Sequence, residues 1–402
     1  MIIPGQSQIT QLLLSIHKSM WVRRLLLCGG CLLAGYALAE PSAPLDPKQI
    51  ATLEEEEVRL WREGDTADKH FLRAGRLYQH PALTAYLQRI MDRIYPEWAG
   101  TIQVRLVNDP SLNAFALPNG SIYIYTGLLA RLDNEAQLAT VLAHEGAHFI
   151  LRHGYLHRQQ IKGASAFGLV VGVMGVPIVS ILGQLAAVSS MFGYSQTLET
   201  EADDMGFRRL VLAGYDPKES VRVFEHLAEE AKTNDHKEPF FFASHPKLTE
   251  RMESYQKLLP SAGAENGAVE AERFESSIGD LRALAIESDL GRARFKNVLV
   301  ILEDAERRKR YPAHVDYFLG EAYRLRGEEG DLEKARAAYL KSIQAAPDFA
   351  PVYRQLGLLC FKQQQLGEAK DYFTRYLQKL PAAQDKAFIE DYLQHITLKE
   401  KP

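Results

Sequence analysis

Cysteine is scarce in this sequence of 402 residues, which contains only three. Cys28 and Cys31 both fall within the first 39 residues, so a chain that loses this segment keeps Cys360 alone and forms no intrachain disulfide. Net charge is also low, because 47 basic residues face 51 acidic ones. With neither a basic surplus nor a basic stripe interleaved with aromatic residues, the sequence predicts no nucleic-acid partner.

Acidic residues are absent from residues 1–39, and this segment has the pattern of an export signal. Arg23 and Arg24 precede a short apolar core, which ends in the small residues around Ala39. We therefore predict a signal peptide at 1–39, with cleavage after Ala39. Three alternatives stay open: translation from Met20, a lipoprotein signal that ends at Cys31, and an uncleaved membrane anchor. The apolar run of such an anchor is shorter than the roughly 20 residues that cross a bilayer.

Helical and strand patterns alternate after the signal and predict an α+β fold that is mostly helical. Residues 113–125 have the pattern of a β-hairpin, and a helix with Asn134 as its N-cap is expected at about 134–153. Residues 260–270 are small and polar and mark the clearest domain boundary. The expected organisation is a first domain at 40–259, a linker at 260–274 and a second, helical domain at 275–402.

An internal repeat of about 34 residues occupies the end of the chain. Three positions recur 34 residues later: Ala335 as Ala369, Tyr339 as Phe373, and Pro347 as Pro381. Small, aromatic and proline residues at this period are typical of tetratricopeptide helix pairs, which bury their apolar faces by stacking about three units. We predict an all-α tetratricopeptide solenoid over 275–402.

The strongest chemical signal is the run His144-Glu145-Gly146-Ala147-His148. On a helix its two histidines lie one turn apart, so both imidazoles project from one face and can bind one cation. Imidazole is a common zinc ligand, and Glu145 beside the first histidine is placed to act as general base on the water at the open coordination position. The run therefore predicts one zinc ion per chain.

A catalytic zinc site needs a third protein ligand, and the acidic segment beginning at Glu199 offers one. Glu199 and Asp203 lie one helical turn apart, just before an apolar helical run. Glu199 can supply a carboxylate ligand, and Asp203 can orient His144 or His148 through a hydrogen bond. The alternative is a solvated acidic helix face with no ligand in it.

Four segments together resemble the gluzincin family of the CAAX prenyl proteases and HtpX. They are HEGAH, NAFALPNGSIYIYTGLL, ETEADDMG and SHPKLTER. The export signal and the repeats make the chain most similar to the periplasmic type that enhances β-barrel assembly. The resemblance implies a zincin-like metallopeptidase domain at 40–259. It assigns the zinc ligands His144, His148 and Glu199, and the catalytic residues Glu145, Asp203, His245 and Arg251.

Within this resemblance, the role of His245 stays open. It either helps to stabilise the oxyanion of the transition state, as Arg251 is also expected to do, or it caps the zinc in a latent state. The resemblance also implies a periplasmic endopeptidase in envelope quality control. Its substrates would be misassembled outer-membrane proteins, and its repeat domain would contact the assembly machinery. The strand Asn113–Leu117 is expected to lie at a sheet edge and to pair with an extended peptide substrate; the alternative is an ordinary buried strand.

Residues 163–198 contain no charged side chain. They are either a transmembrane segment or a helical hairpin. The apolar pieces on either side of Pro177 are both shorter than the roughly 20 residues of a transmembrane helix. This favours a hairpin that covers the active site or makes peripheral contact with a membrane. Two rival functions follow from these features: a chaperone or scaffold whose metal site is closed, and a membrane-embedded protease.

Overall fold

A computed structural model describes residues 42–161, 194–233, 248–263 and 266–399. Helices dominate these ranges and surround one small sheet, which confirms the predicted α+β, mostly helical class. The predicted signal peptide, most of the segment 163–198, and His245 lie outside the described residues. Among the residues that are described, none of the helices combines the length and the apolar character needed to cross a bilayer.

The helices are numbered here in chain order. The amino-terminal ones are α1 (Glu55–Arg73), α2 (Pro81–Ile94), α3 (Thr126–Arg131), α4 (Glu135–Ile150), α5 (His153–Ile161), α6 (Gln196–Leu212), α7 (Glu219–Thr233) and α8 (Leu248–Leu258). The carboxy-terminal ones are α9 (Ala271–Gly291), α10 (Phe295–Glu303), α11 (Ala305–Arg308), α12 (Val315–Arg326), α13 (Asp331–Ala345), α14 (Ala350–Lys362), α15 (Leu366–Lys379) and α16 (Lys386–Lys399).

The sheet consists of β1 (Gln103–Val107), β2 (Ala114–Ala116) and β3 (Ser121–Tyr125), in the order β1-β3-β2. β2 and β3 pair antiparallel, which confirms the predicted hairpin, whereas β1 runs parallel to β3. β2 therefore ends the strand order, as expected of a sheet edge. Helix α4 packs against both β2 and β3.

Helix α4 carries the His-Glu run and is buried along its whole length. The Asn134 side chain caps it as predicted, accepting a hydrogen bond from the Gln137 N–H at 2.9 Å. The Glu219 carboxylate accepts from the side-chain amides of both residues, at 2.8 and 2.9 Å. Negative charge at this end is favourable, because the first N–H groups of a helix are unpaired and its dipole is positive there.

Helix α4 ends at Ile150, earlier than the predicted end near residue 153. Arg152 has a φ of 58°, in the left-handed region that breaks a right-handed helix. The Arg152 guanidinium pairs with Glu57, whose side chain is 2% exposed. The left-handed backbone conformation is unfavourable for an arginine by itself. The ion pair with Glu57 therefore helps to stabilise the end of α4 at this position.

Two hydrophobic cores meet in α9. In its first half, Phe274, Ile278 and Leu281 pack with the core formed by α2, the sheet and α4. In its second half, Ile286 packs with the helices that follow. The predicted linker at 260–274 thus includes a fully buried aromatic residue.

The helices after α11 pack as pairs, α12 with α13 and α14 with α15. A Cβ atom added at Gly320 would lie 2.4 Å from the ring of Tyr339, and one at Gly357 would lie 2.5 Å from the ring of Phe373. The same small-to-aromatic contact therefore closes both pairs. The two aromatic residues are 34 residues apart and the two glycines 37, so the tetratricopeptide assignment stays a prediction.

Arginine side chains tie the segment before α4 to the carboxy-terminal helices. Arg282 is 2% exposed and donates to the carbonyl oxygens of Ala130 at 2.6 Å and Leu132 at 2.9 Å. Two ion pairs join the same regions: Arg131 with Asp289, and Arg310 with Asp133. The second helical region is thus anchored to the residues that lead into α4.

We expect Arg282→Met to lower the free energy of unfolding by about 2–4 kcal/mol, because two buried carbonyl oxygens lose their donors. Thermal or denaturant melting measures the change. The control is Arg208→Met, whose side chain is 71% exposed and pairs with Asp204; its effect should stay below about 0.5 kcal/mol. Equal shifts for the two variants would contradict this account of the junction.

Candidate metal centre

Helices α4 and α6 approach each other closely. A Cβ atom at Gly206 of α6 would lie 3.1 to 3.2 Å from backbone atoms of Ala143 and His144 in α4. The missing side chain lets the two backbones come together at this point. As a result, the first turns of α6, which carry Glu199 and Asp203, face the two histidines of α4.

Three predicted ligands converge at this contact: His144, His148 and Glu199. The Nε2 atom of each histidine lies 3.5 Å from a carboxylate oxygen of Glu199, and the two Nε2 atoms are 2.9 Å apart. Tetrahedral zinc bonds of about 2.0–2.2 Å would separate neighbouring ligand atoms by roughly 3.4 Å. Two imidazoles and a carboxylate at these distances fit a zinc ion and leave a fourth position for water.

His144 is oriented from its other nitrogen. Its Nδ1 atom lies 3.0 Å from Oδ1 of Asp203 and 2.9 Å from Nη2 of Arg251. A His144 that binds a metal through Nε2 carries its proton on Nδ1 and can donate it to Asp203. Arg251, 3% exposed, donates to the same Oδ1 atom at 2.7 Å and lies over the ring of Phe224 at 4.4 Å. Burial opposes its charge, but Asp203 and Glu199 raise the pKa of Arg251 above its usual value.

Two further aromatic side chains, Tyr194 and His153, contact His148. The ring of Tyr194 stacks on it, with centroids 4.1 Å apart and planes inclined by 15°. Nδ1 of His153 lies 2.9 Å from Nδ1 of His148, a contact that none of the sequence motifs predicts. Burial lowers the pKa of His153 to about 4, against the opposing effect of Glu201, so this ring is neutral at physiological pH.

Residues 80–259 match the profile of peptidase family M48. This range contains the three converging ligands and Glu145. Residues 80–259 form a peptidase family M48 domain. The match confirms the gluzincin resemblance expected from the sequence motifs.

Several relatives share this region with the chain. The mitochondrial metalloendopeptidase OMA1 of Schizosaccharomyces pombe is 30% identical over 194 residues, which cover 46% of this chain and 55% of the relative. OMA1 of Saccharomyces cerevisiae is 34% identical over 169 residues, covering 40% and 48%. The β-barrel assembly-enhancing protease of Escherichia coli is 28% identical over 203 residues, covering 47% and 41%. The chain thus spans about half of these curated relatives' length, or less.

The side chains at the centre of the M48 domain are buried. Glu145 is 0% exposed, His144 and His148 are each 1% exposed, and Glu199 is 4% exposed. Burial also raises the pKa of the Tyr194 hydroxyl, with a further contribution from the charges of Glu145 and Glu199. The metal centre is therefore enclosed by protein, in a medium where charges interact more strongly than in water.

Two further residues, Arg251 and His245, are predicted to be catalytic. Arg251 lies at the Nδ1 edge of His144, on the side of the ring away from the metal-facing Nε2 atom, where it holds Asp203. Its expected contact with the oxyanion stays a prediction. His245 falls outside the described residues, so both of its expected roles also stay predictions.

Removal of a ligand should abolish stoichiometric metal binding by the M48 domain. We expect His148→Ala and Glu199→Ala each to weaken zinc binding by more than the roughly 10–100-fold that loss of an outer hydrogen-bond partner costs. Metal analysis after dialysis and competition with a chelator measure this. Asp204→Ala, on the same helix as Glu199, is the matched control and should bind zinc normally; normal binding by either ligand variant would remove the basis of the site.

Proposed function

We propose that this chain is an exported, zinc-dependent endopeptidase that hydrolyses misfolded or misassembled outer-membrane proteins in the periplasm. The observation that carries the proposal is the convergence of His144, His148 and Glu199, with Glu145 in the next position of the same helix. The relationship to the E. coli β-barrel assembly-enhancing protease supports the choice of substrate. The export pattern of residues 1–39 supports the location.

The chemistry divides between the metal and the protein. A zinc ion held by His144, His148 and Glu199 would lower the pKa of a water molecule and polarise the scissile carbonyl. Glu145 takes the proton from the attacking water and delivers it to the leaving amine. Asp203, held by Arg251, keeps His144 in the tautomer that presents Nε2 to the metal.

We expect an extended substrate to pair with the edge strand β2, whose residues Ala114–Ala116 are buried, so the residues that cover this edge must move first. The N–H of Tyr125 donates to Asn113, and the N–H of Leu117 donates to Ser121. In an antiparallel ladder the direction of the backbone groups alternates, so those of Ala114, between these bonded positions, point away from β3. A peptide that adds to this edge would form main-chain hydrogen bonds beside α4.

The carboxy-terminal helices would act as tetratricopeptide repeats that recruit clients or the outer-membrane assembly machinery. Stacked helix pairs form an extended surface for binding protein segments. The equivalent contacts of Gly320 with Tyr339 and of Gly357 with Phe373 support this proposal. The uncharged segment 163–198 would add peripheral contact with a membrane or with apolar clients.

Burial of the centre favours one alternative function. Since Glu145 is 0% exposed, a substrate reaches it only after the surrounding residues move. A chaperone or scaffold with a latent metal site would have the same enclosed arrangement. The two proposals differ in whether Glu145 is needed.

We expect Glu145→Gln to reduce cleavage of an unfolded β-barrel protein or casein by about 10²–10⁴-fold, since the general base is lost. Its zinc content should equal that of the wild-type protein, which separates loss of the base from loss of the metal. Glu55→Gln, at an exposed position of α1, is the matched control. Full cleavage by Glu145→Gln would contradict the role of Glu145 as the base. Full function of this variant in cells without cleavage would favour the chaperone or scaffold.

A further inference from the structure

His153 reaches His148 only because the chain breaks its helix between them. On an unbroken helix, residues five positions apart point about 140° away from each other. Here α4 ends at Ile150 and α5 begins at His153, with Arg152 in the left-handed conformation between them. The break brings the fully buried His153 ring back against His148, with ring centroids 4.9 Å apart.

The bond between the two rings has a defined direction. A neutral imidazole carries one proton, so a His148 whose Nε2 atom binds a metal must carry its proton on Nδ1. The Nδ1 atom of His153, 2.9 Å away, must then accept that proton in a hydrogen bond. His153 consequently carries its own proton on Nε2.

The second nitrogen of His153 also has a partner. Its Nε2 atom lies 3.4 Å from Oε2 of Glu201, and a carboxylate there favours the tautomer with the proton on Nε2. Glu201 lies between Glu199 and Asp203 in the sequence but about 200° around α6 from Glu199. It therefore reaches His153 rather than the two metal-facing imidazoles.

We propose that His153 is a positioning residue: it accepts the Nδ1 proton of His148, fixes the tautomer that presents Nε2 to the metal, and is itself oriented by Glu201. The acidic segment would then use three of its four carboxylates at one centre. Glu199 is the ligand, Asp203 orients His144, and Glu201 orients His148 through His153. This inference rests on the metal site of the proposed function.

The test measures zinc affinity of the mature full-length protein by competition with a chromophoric chelator. We expect His153→Phe to weaken zinc binding by about 10–100-fold, the usual cost of losing a partner that orients a ligand. His153→Asn should restore affinity to within about threefold of wild type, because its side-chain oxygen can accept at the place of Nδ1. The absorption spectrum of the cobalt-substituted protein should be perturbed in the Phe variant and restored in the Asn variant.

Glu201→Ala provides a second, independent arm. It should weaken zinc binding in the wild-type background but have no further effect in the His153→Asn background, where the link to Nε2 no longer exists. Asp204→Ala on the same helix and His70→Phe at an exposed position of α1 are matched controls with expected wild-type affinity. Melting curves of the metal-free proteins check folding, and the Glu201 comparison decides the question if His153→Phe does not fold.

The outcomes are distinct. Affinity within twofold of wild type for His153→Phe would overturn the inference, as would equal weakening by the Phe and Asn variants, which would indicate packing rather than hydrogen bonding. A wild-type protein that binds zinc normally while His153→Phe has no effect would contradict only this inference. Failure of the wild-type protein to bind zinc would contradict the proposed function itself.

Discussion

The close contact between α4 and α6 is the constraint on which the rest of the structure depends. Neither helix alone can form a metal site, because α4 offers two imidazoles and α6 offers the carboxylate. Gly206 lets the two backbones approach, and the ligand atoms then reach the spacing of a tetrahedral site. Charged side chains that are buried between two helices are stable only when they are paired. Asp203 is paired with Arg251 and His144.

The surroundings of α4 keep that contact in place. Its amino-terminal end is held by the Asn134 cap and by Glu219, and the segment before it is held by Arg282 from α9. Its carboxy-terminal end is set by the left-handed Arg152 and its ion pair with Glu57. Both ends of the active-site helix therefore depend on residues distant in sequence. This connects the second helical region to the geometry of the metal centre.

Much of the site could be predicted because its signals are local. His144 and His148 share a helix face by their spacing alone, and Glu199 and Asp203 follow the same rule on a second helix. The end of α4 could not be predicted, because the break depends on Glu57, 95 residues before Arg152. His153 was missed for the same reason: five-residue spacing on a continuous helix would direct it away from His148.

By itself the sequence determined the types of ligand, the mostly helical class, the hairpin and the period of the repeats, because each follows from spacing along one element. Tertiary structure alone decided which carboxylate meets which histidine, that Arg251 holds Asp203, and that Tyr194 and His153 enclose His148. The physical reason is that periodicity defines a face of a helix but not what packs against it. That choice depends on backbone breaks and on burial shared by segments far apart in the chain.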